Sequence, residues 1–291
     1  MLDLSFKTML MKYLYSLIFV VFLSSCTKTG LNVINLISDS TEFEVIKDIH
    51  YGQHKINVLD LYLPTSQKPT ATVIFFYGGC WGKCSDLAKN HYQFVAQSLT
   101  RQGFAVVIPD YRQFPVVNFN QIMDDAKSAT QWTLNNILNY GATNNNVFLM
   151  GHSSGAHISA MLAVDEQHLG ASLSSVKGVI SLAGPYDFYP FVGEYMYDLF
   201  SEADEYKDSQ PINFIDGNEP PFLLLQGDKD QKVQPENALN FSAKLTEKNV
   251  AHEIMLLDQK RHAAVLLNLA KPFRDDEKVL SSIYRFIDQY Q

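Results

Sequence analysis

Short, nearly continuous apolar runs recur along the chain: Val73–Phe76, Phe104–Ile108, Val147–Met150, Val179–Leu182, Phe222–Leu225 and Ile254–Leu257. Runs this short and this apolar suit strands buried on both faces, the condition of a parallel sheet covered by helices. Helical spacing fills most of the intervals, over Asp86–Arg101, Asn120–Ile137, Gly155–Val164 and Pro235–Lys248, and again over Glu277–Gln289 after the last run. Nearer the start, Phe43–Ile49 and Lys55–Tyr62 alternate apolar with polar positions, which predicts an antiparallel pair at a sheet edge. Strands alternating with helices define an α/β class with a mostly parallel central sheet and helices on both faces. In such sheets ligands bind beyond the carboxyl ends of the strands. The residues that follow each run are therefore where chemistry is expected.

The beginning of the chain departs from this alternation. From Met11 it has a basic residue, Lys12, then an apolar run from Tyr13 to Leu23 and small residues ending at Cys26. That order is a secretory signal, and its apolar part is shorter than the roughly 20 residues of a membrane-spanning helix. Leu23-Ser24-Ser25-Cys26 resembles a bacterial lipobox. The resemblance implies cleavage before Cys26, acyl chains on Cys26, and a cell-envelope location on the periplasmic or surface side of a membrane. An ordinary signal peptide with an incidental cysteine is the alternative. The expected organisation is a signal peptide over 1–25, an N-terminal linker over 26–42 and one domain over 43–291.

Composition narrows the classes. A chain of 291 residues with 46% hydrophobic and 19% charged content has enough apolar material for one large core. Its 31 acidic against 23 basic residues, net charge -8, argue against a nucleic-acid partner, since phosphate binding needs clustered Lys and Arg. Beyond Cys26 the only cysteines are Cys80 and Cys84. In an oxidising compartment they either close as a disulfide or remain two thiols, and both readings stay open. Two cysteines without a nearby His pair make a poor zinc site.

The clearest chemical signal is Gly151-His152-Ser153-Ser154-Gly155, directly after the run Val147–Met150 and at the head of a helix rich in small residues. Strand, sharp turn and helix in that order present a serine clear of the sheet, with Ser153 as nucleophile. The bland alternative is a tight turn with a capping serine. Attack by a serine alkoxide on a carbonyl creates an oxyanion that preorganised N–H groups must stabilise. One donor is the amide of Ser154, at a helix N-terminus where the dipole favours negative charge.

Tyr77-Gly78-Gly79-Cys80-Trp81 resembles the His-Gly-Gly-Gly-Trp or His-Gly-Gly-x-Trp loop of α/β-hydrolase-fold esterases, lipases and kynurenine formamidase-like enzymes. The resemblance implies that the amides of Gly79 and Cys80 complete the oxyanion hole. Tyr77 stands where those enzymes carry His, and Cys80 replaces a third glycine, which narrows the backbone angles available. Gln226-Gly227-Asp228-Lys229-Asp230-Gln231-Lys232-Val233 is similar to the family's His-Gly-x-x-Asp-x-x-Val segment. That register selects Asp230 as the acid, with Asp228 as the competing turn residue. The resemblance also places the base in the loop after the last core strand, at His262. Ser, Asp, His is the chain order of this fold. Of the remaining histidines, His152 is expected to point away from the elbow tip, and His157, His252, His50, His54, His91 and His168 to be structural or solvent-facing.

Between Pro185 and Pro221 an aromatic-rich stretch holding Tyr186, Phe188, Tyr189, Phe191, Tyr195, Tyr197 and Phe200 interrupts the alternation. A small cap insertion over about 186–218 is expected there. Its rings either line the cleft, suiting an aryl or sugar-bearing ester, or simply pack the insertion onto the sheet. The expected activity is carboxylic-ester hydrolysis through an acyl-enzyme, on a small-molecule or carbohydrate ester carrying acetyl or feruloyl groups. Neither a metal nor an organic cofactor is implied. The alternatives are an amide hydrolase with the same triad and a non-catalytic surface-binding lipoprotein.

Overall fold

A computed structural model describes residues 27–36, 43–203, 205–274 and 277–291. The signal segment and the proposed lipidation site, Cys26, lie outside them. Eight strands form one sheet: β1 (Phe43–His50), β2 (Val58–Pro64), β3 (Thr72–Phe76), β4 (Ala105–Pro109), β5 (Val147–His152), β6 (Val176–Leu182), β7 (Phe222–Gly227) and β8 (His252–Leu257). Their order is β1-β2-β4-β3-β5-β6-β7-β8. The pairs β1/β2 and β2/β4 are antiparallel and all others parallel. Strands β3, β4, β5 and β7 are buried at every residue, whereas the edge strand β1 mixes exposed with partly buried positions and its expected alternation is broken by a register shift between Ile46 and Ile49.

Around the sheet lie α1 (Thr27–Leu36), α2 (Gln93–Thr100), α3 (Phe119–Asn136), α4 (Ser154–Val164), α5 (Glu236–Glu247), α6 (His262–Leu267) and α7 (Lys278–Tyr290). Helix α4, which opens at the elbow, is buried along its whole length. Its small side chains at Ala156, Ser159, Ala160 and Ala163 permit that close fit, and its apolar character has no preferred face.

Three differences from the sequence expectation have physical causes. The segment expected as a linker holds α1, whose Leu31 and Ile34, three residues apart on one face, are buried. Lys28 pairs with Asp86 at 2.8 Å, and the Asn35 side chain donates to the Asn90 carbonyl and accepts from the Phe94 amide. Docking, rather than helix propensity, stabilises this helix. The helix expected over Asp86–Arg101 is a short 3-10 turn, Lys89–His91, followed by α2. Buried Lys89 diverts the chain: its amide donates to Asp110 and its ammonium pairs with Asp48 and Asp60 at 2.7 and 2.8 Å. Finally, β2 begins at Val58 rather than Lys55, because the preceding residues turn back, with the Tyr51 amide bonded to the Asn57 carbonyl.

Candidate active site

Four strand ends converge on one cavity of about 350 Å³. Strand β5 leads into Ser153, which has φ 57° and ψ -126°, an unfavourable combination for a residue with a side chain. The flanking glycines permit the turn. A Cβ at Gly151 would lie 2.2 Å from the Gly155 carbonyl oxygen, and one at Gly155 would lie 2.0 Å from that of Phe76. The elbow thus wedges its own turn against β3, and only glycine fits at either position.

Strand β3 leads into Tyr77-Gly78-Gly79-Cys80-Trp81. Tyr77 is buried and stacked between Tyr92 and Tyr111, with centroids 5.3 and 4.8 Å away. Its hydroxyl donates to Asp110 at 2.9 Å, and the Tyr111 hydroxyl donates to the Tyr77 carbonyl at 2.6 Å. The residue replacing the family's His therefore anchors the start of the loop. A Cβ at Gly78 would sit 3.0 Å from the Ser153 Cβ, so the loop passes directly beside the elbow. Cys80 and Cys84 form a disulfide, which resolves the alternative the sequence left open. Among the described residues, the amides of Gly79, Cys80 and Ser154 donate no hydrogen bond within the chain. All three residues line the cavity that Ser153 enters.

The candidate acid and base follow β7 and β8. His262 Nδ1 donates to Asp230 Oδ2 at 2.7 Å. Asp230 Oδ1 accepts from the amides of Lys232 and Val233 at 2.9 and 3.0 Å, and the Gln226 amide group donates to Oδ2 at 3.3 Å. Burial pushes the Asp230 carboxyl up, but the bond and charge of His262 and the two amides outweigh it and hold it below the usual carboxylate value. Asp230 thus stays ionised, and an ionised acceptor keeps the His262 proton on Nδ1 and leaves Nε2 as a base. Asp228 turns the chain instead, its amide bonded to the Leu257 carbonyl. Ser153 and His262 line the same cavity, with no hydrogen bond between their side chains among the described residues.

Two residues of the site were not anticipated. His152 does not point away from the elbow: it lines the cavity, its ring lies 4.8 Å from that of His262, and Nε2 donates to the His262 carbonyl at 3.2 Å. Burial, together with the nearby His262, pushes its pKa down to about 3, so it is neutral. No sequence signal fixes the side-chain direction at an elbow. Gln226 did leave a signal, being a polar residue at the end of an otherwise apolar buried strand.

The aromatic insertion divides into two roles. Phe188 and Tyr195, with Val192 and Met196, line the cavity. Phe191, Tyr197 and Tyr206 pack on one another, and Phe191 and Phe188 pack on Phe200, which in turn meets Trp81 at 5.3 Å. Buried His157 joins this cluster between Trp81, Phe119 and Phe188 and donates to the Ser209 carbonyl at 2.7 Å. Leu87, Tyr92, Val233 and Leu266, and Leu31 of α1, add further apolar wall.

The sheet order and the elbow after β5 define an α/β-hydrolase fold. The family model BD-FAE matches residues 59–245, more than half of the chain, and the chain belongs to that family. It is 27% identical over 252 residues to a probable isoprenylcysteine alpha-carbonyl methylesterase of Arabidopsis thaliana, covering 77% of this chain and 58% of the plant protein's length. Among solved structures it resembles a truncated carbohydrate esterase from gut microbiota, with TM-score 0.68, 21% identity and coverage of 87% and 98% of the two chains. It also resembles an inhibited esterase B from Lactobacillus rhamnosis, with TM-score 0.75, 17% identity and coverage of 94% and 96%.

Proposed function

We propose that this protein is a serine carboxylic-ester hydrolase in which Ser153 is the nucleophile, His262 the general base and Asp230 its orienting acid. The observation that carries the reading is the 2.7 Å bond from His262 Nδ1 to a buried Asp230, with Ser153 on the wall of the same cavity. His262 Nε2 takes the Ser153 proton as Oγ attacks the ester carbonyl, and the amides of Gly79, Cys80 and Ser154 hold the oxyanion. His262 then protonates the leaving alcohol. Water, deprotonated by the same imidazole, releases the acid and restores Ser153.

The cavity favours an acyl group of modest size with apolar or aryl character, which suits acetyl or feruloyl esters on carbohydrate. Family membership and the likeness to a carbohydrate esterase support that substrate class. Wild type is expected to hydrolyse short aryl esters and to release acetate or ferulate from substituted xylan, and Ser153→Ala to do neither. Equal inactivity of both on every ester, or faster cleavage of matched amides, would overturn the assignment.

An envelope location belongs to the same proposal. Cys26 immediately precedes α1, and Leu31 of α1 lines the cavity, so an acyl anchor on Cys26 holds the site within a short helix of the membrane surface. Incorporation of a labelled fatty acid that disappears in Cys26→Ala tests it, and retention of label in that variant contradicts it.

A further inference from the structure

We propose that Cys84 is a positioning residue for ester hydrolysis: its disulfide to Cys80 holds the oxyanion loop in its working conformation and makes catalysis depend on the redox state of that bond. This inference rests on the assignment of Cys80 to the oxyanion hole.

The backbone explains the need. Cys80 and Trp81 are consecutive residues with side chains, and both lie in the left-handed region, at φ 54° and 56°. That region is unfavourable for any residue carrying a Cβ, and it persists only where the surroundings impose it. In the His-Gly-Gly-Gly-Trp form of the loop that this segment resembles, glycine stands where this chain has Cys80. Something other than glycine's freedom must therefore keep Cys80 in place.

The restraints on its neighbours are visible. The Trp81 amide donates to Ser154 Oγ at 3.2 Å, its carbonyl accepts from the Phe114 amide at 2.8 Å, and its ring is buried among His157, Phe188 and Phe200. The Gly79 carbonyl accepts from the Gly82 and Cys84 amides at 3.0 and 3.1 Å. Cys80 itself has one backbone bond, from the Lys83 amide to its carbonyl at 3.1 Å, and its partly buried side chain, which packs at the edge of the core, has one covalent tie, to Cys84. The Gly79–Cys80 peptide carries the N–H directed to the oxyanion, so rotation about the Cys80 backbone misplaces that donor relative to Ser153. Misplacement by about 1 Å is enough to slow chemistry roughly 10- to 100-fold.

The bond is also reachable. Cys84 is exposed, on the rim of the cavity that Ser153 occupies. A small dithiol has access to it. One thiolate attacks Cys84 Sγ, the Sγ–Sγ bond breaks, and Cys80 leaves as a thiolate that takes up a proton. The second thiol closes on the mixed disulfide, releasing Cys84 as a thiol and leaving the reagent as a cyclic disulfide. Two electrons pass from the dithiol to the protein.

The test compares four states of the full chain on one aryl ester: oxidised wild type, wild type reduced with dithiothreitol, Cys84→Ala, and the double variant Cys80→Gly with Cys84→Ala. Reduction and Cys84→Ala are each expected to lower kcat roughly 10- to 100-fold, with KM within about twofold. Labelling of Ser153 by a fluorophosphonate should slow in parallel. Reoxidation should restore wild type, and dithiothreitol should have no further effect on Cys84→Ala. The double variant should recover much of kcat, because glycine adopts the left-handed conformation without restraint. That recovery separates loop positioning from general stability, which a thermal melt of each variant measures alongside. Oxidised wild type and Cys84→Ala turning over equally fast would overturn the inference while leaving the esterase assignment intact. So would a double variant no faster than Cys84→Ala. Oxidised wild type that neither hydrolyses ester nor labels at Ser153 would instead overturn the esterase assignment itself.

Discussion

His152 Nε2 donates to the backbone carbonyl of His262 at 3.2 Å, and the two imidazole rings lie 4.8 Å apart. In the proposed mechanism, the residue before Ser153 therefore supports the imidazole that would activate it. Because burial pushes the His152 pKa down to about 3, it adds no charge beside the imidazolium that the proposed mechanism forms on His262. A His152→Phe variant keeps the ring packing and loses the hydrogen bond. We expect kcat to fall about 5- to 20-fold, the scale of one lost positioning bond. The acid limb of the pH–rate profile should stay in place, since His152 does not titrate between pH 4 and 8. A shift of that limb by a full pH unit would contradict this role.

Asp230 and Asp228 stand two residues apart with different tasks. Asp230→Asn removes the ionised acceptor that fixes the His262 tautomer, and kcat/KM should drop by about 10³- to 10⁴-fold. Asp228→Asn should stay within about threefold of wild type, because no bond to His262 is lost. Steady-state kinetics on one aryl ester distinguishes them, and comparable losses in both variants would mean that the acid has been misassigned.

Glycine is required at the elbow for space, whereas at Gly170 it is required only for conformation. Gly155→Ala would bring a Cβ within 2.0 Å of the Phe76 carbonyl oxygen, a backbone-to-backbone clash between two buried elements. Failure to yield soluble folded protein is expected. At Gly170, with φ 50°, a Cβ meets nothing within 4 Å. Gly170→Ala should therefore fold and cost about 1 to 3 kcal/mol of stability in a denaturant melt, the penalty of holding a Cβ at φ 50° and ψ -130°. Soluble, fully stable Gly155→Ala would refute the packing described for the elbow.

Buried His157 links stability to pH. Burial pushes its pKa down to about 3, against an ordinary value of 6.5. Below pH 6.5 the unfolded chain binds a proton that the folded chain refuses, so stability is lost as pH falls from 6.5 towards 3. Between pH 7.5 and 5 that loss is about 2 kcal/mol for one such histidine. His157→Phe gives up the bond to Ser209, but its stability should decline by about 2 kcal/mol less than wild type over the same interval. Equal declines in urea melts at the two pH values would show that His157 is protonated in the folded protein.

The sheet and the segments that meet at the cavity were legible in the sequence because buried parallel strands demand short apolar runs and the cavity lies immediately after them. Val147–Met150 followed by Gly151 to Gly155 combines both signals. Asp230 and His262 were legible by resemblance, and geometry now joins them. What was hidden depends on contacts between distant segments. Helix α1 has a mixed sequence and owes its form to docking of Leu31 and Ile34. The pairing of Cys80 with Cys84 depends on a loop path that spacing alone leaves open. In the insertion, Phe188 and Phe191 are indistinguishable as residues, yet only the first lines the cavity. Side-chain direction, as at His152, is decided by packing and has no periodic signature at a turn.

The central claim is that Ser153 is an activated nucleophile, and covalent labelling tests it most directly. Purified protein treated with a fluorophosphonate should gain one adduct by intact mass, mapped by peptide sequencing to Ser153. Asp230→Asn and His262→Ala should label far more slowly and Ser153→Ala not at all. Absence of an adduct on wild type, or an adduct on another residue that persists in Ser153→Ala, would contradict the account.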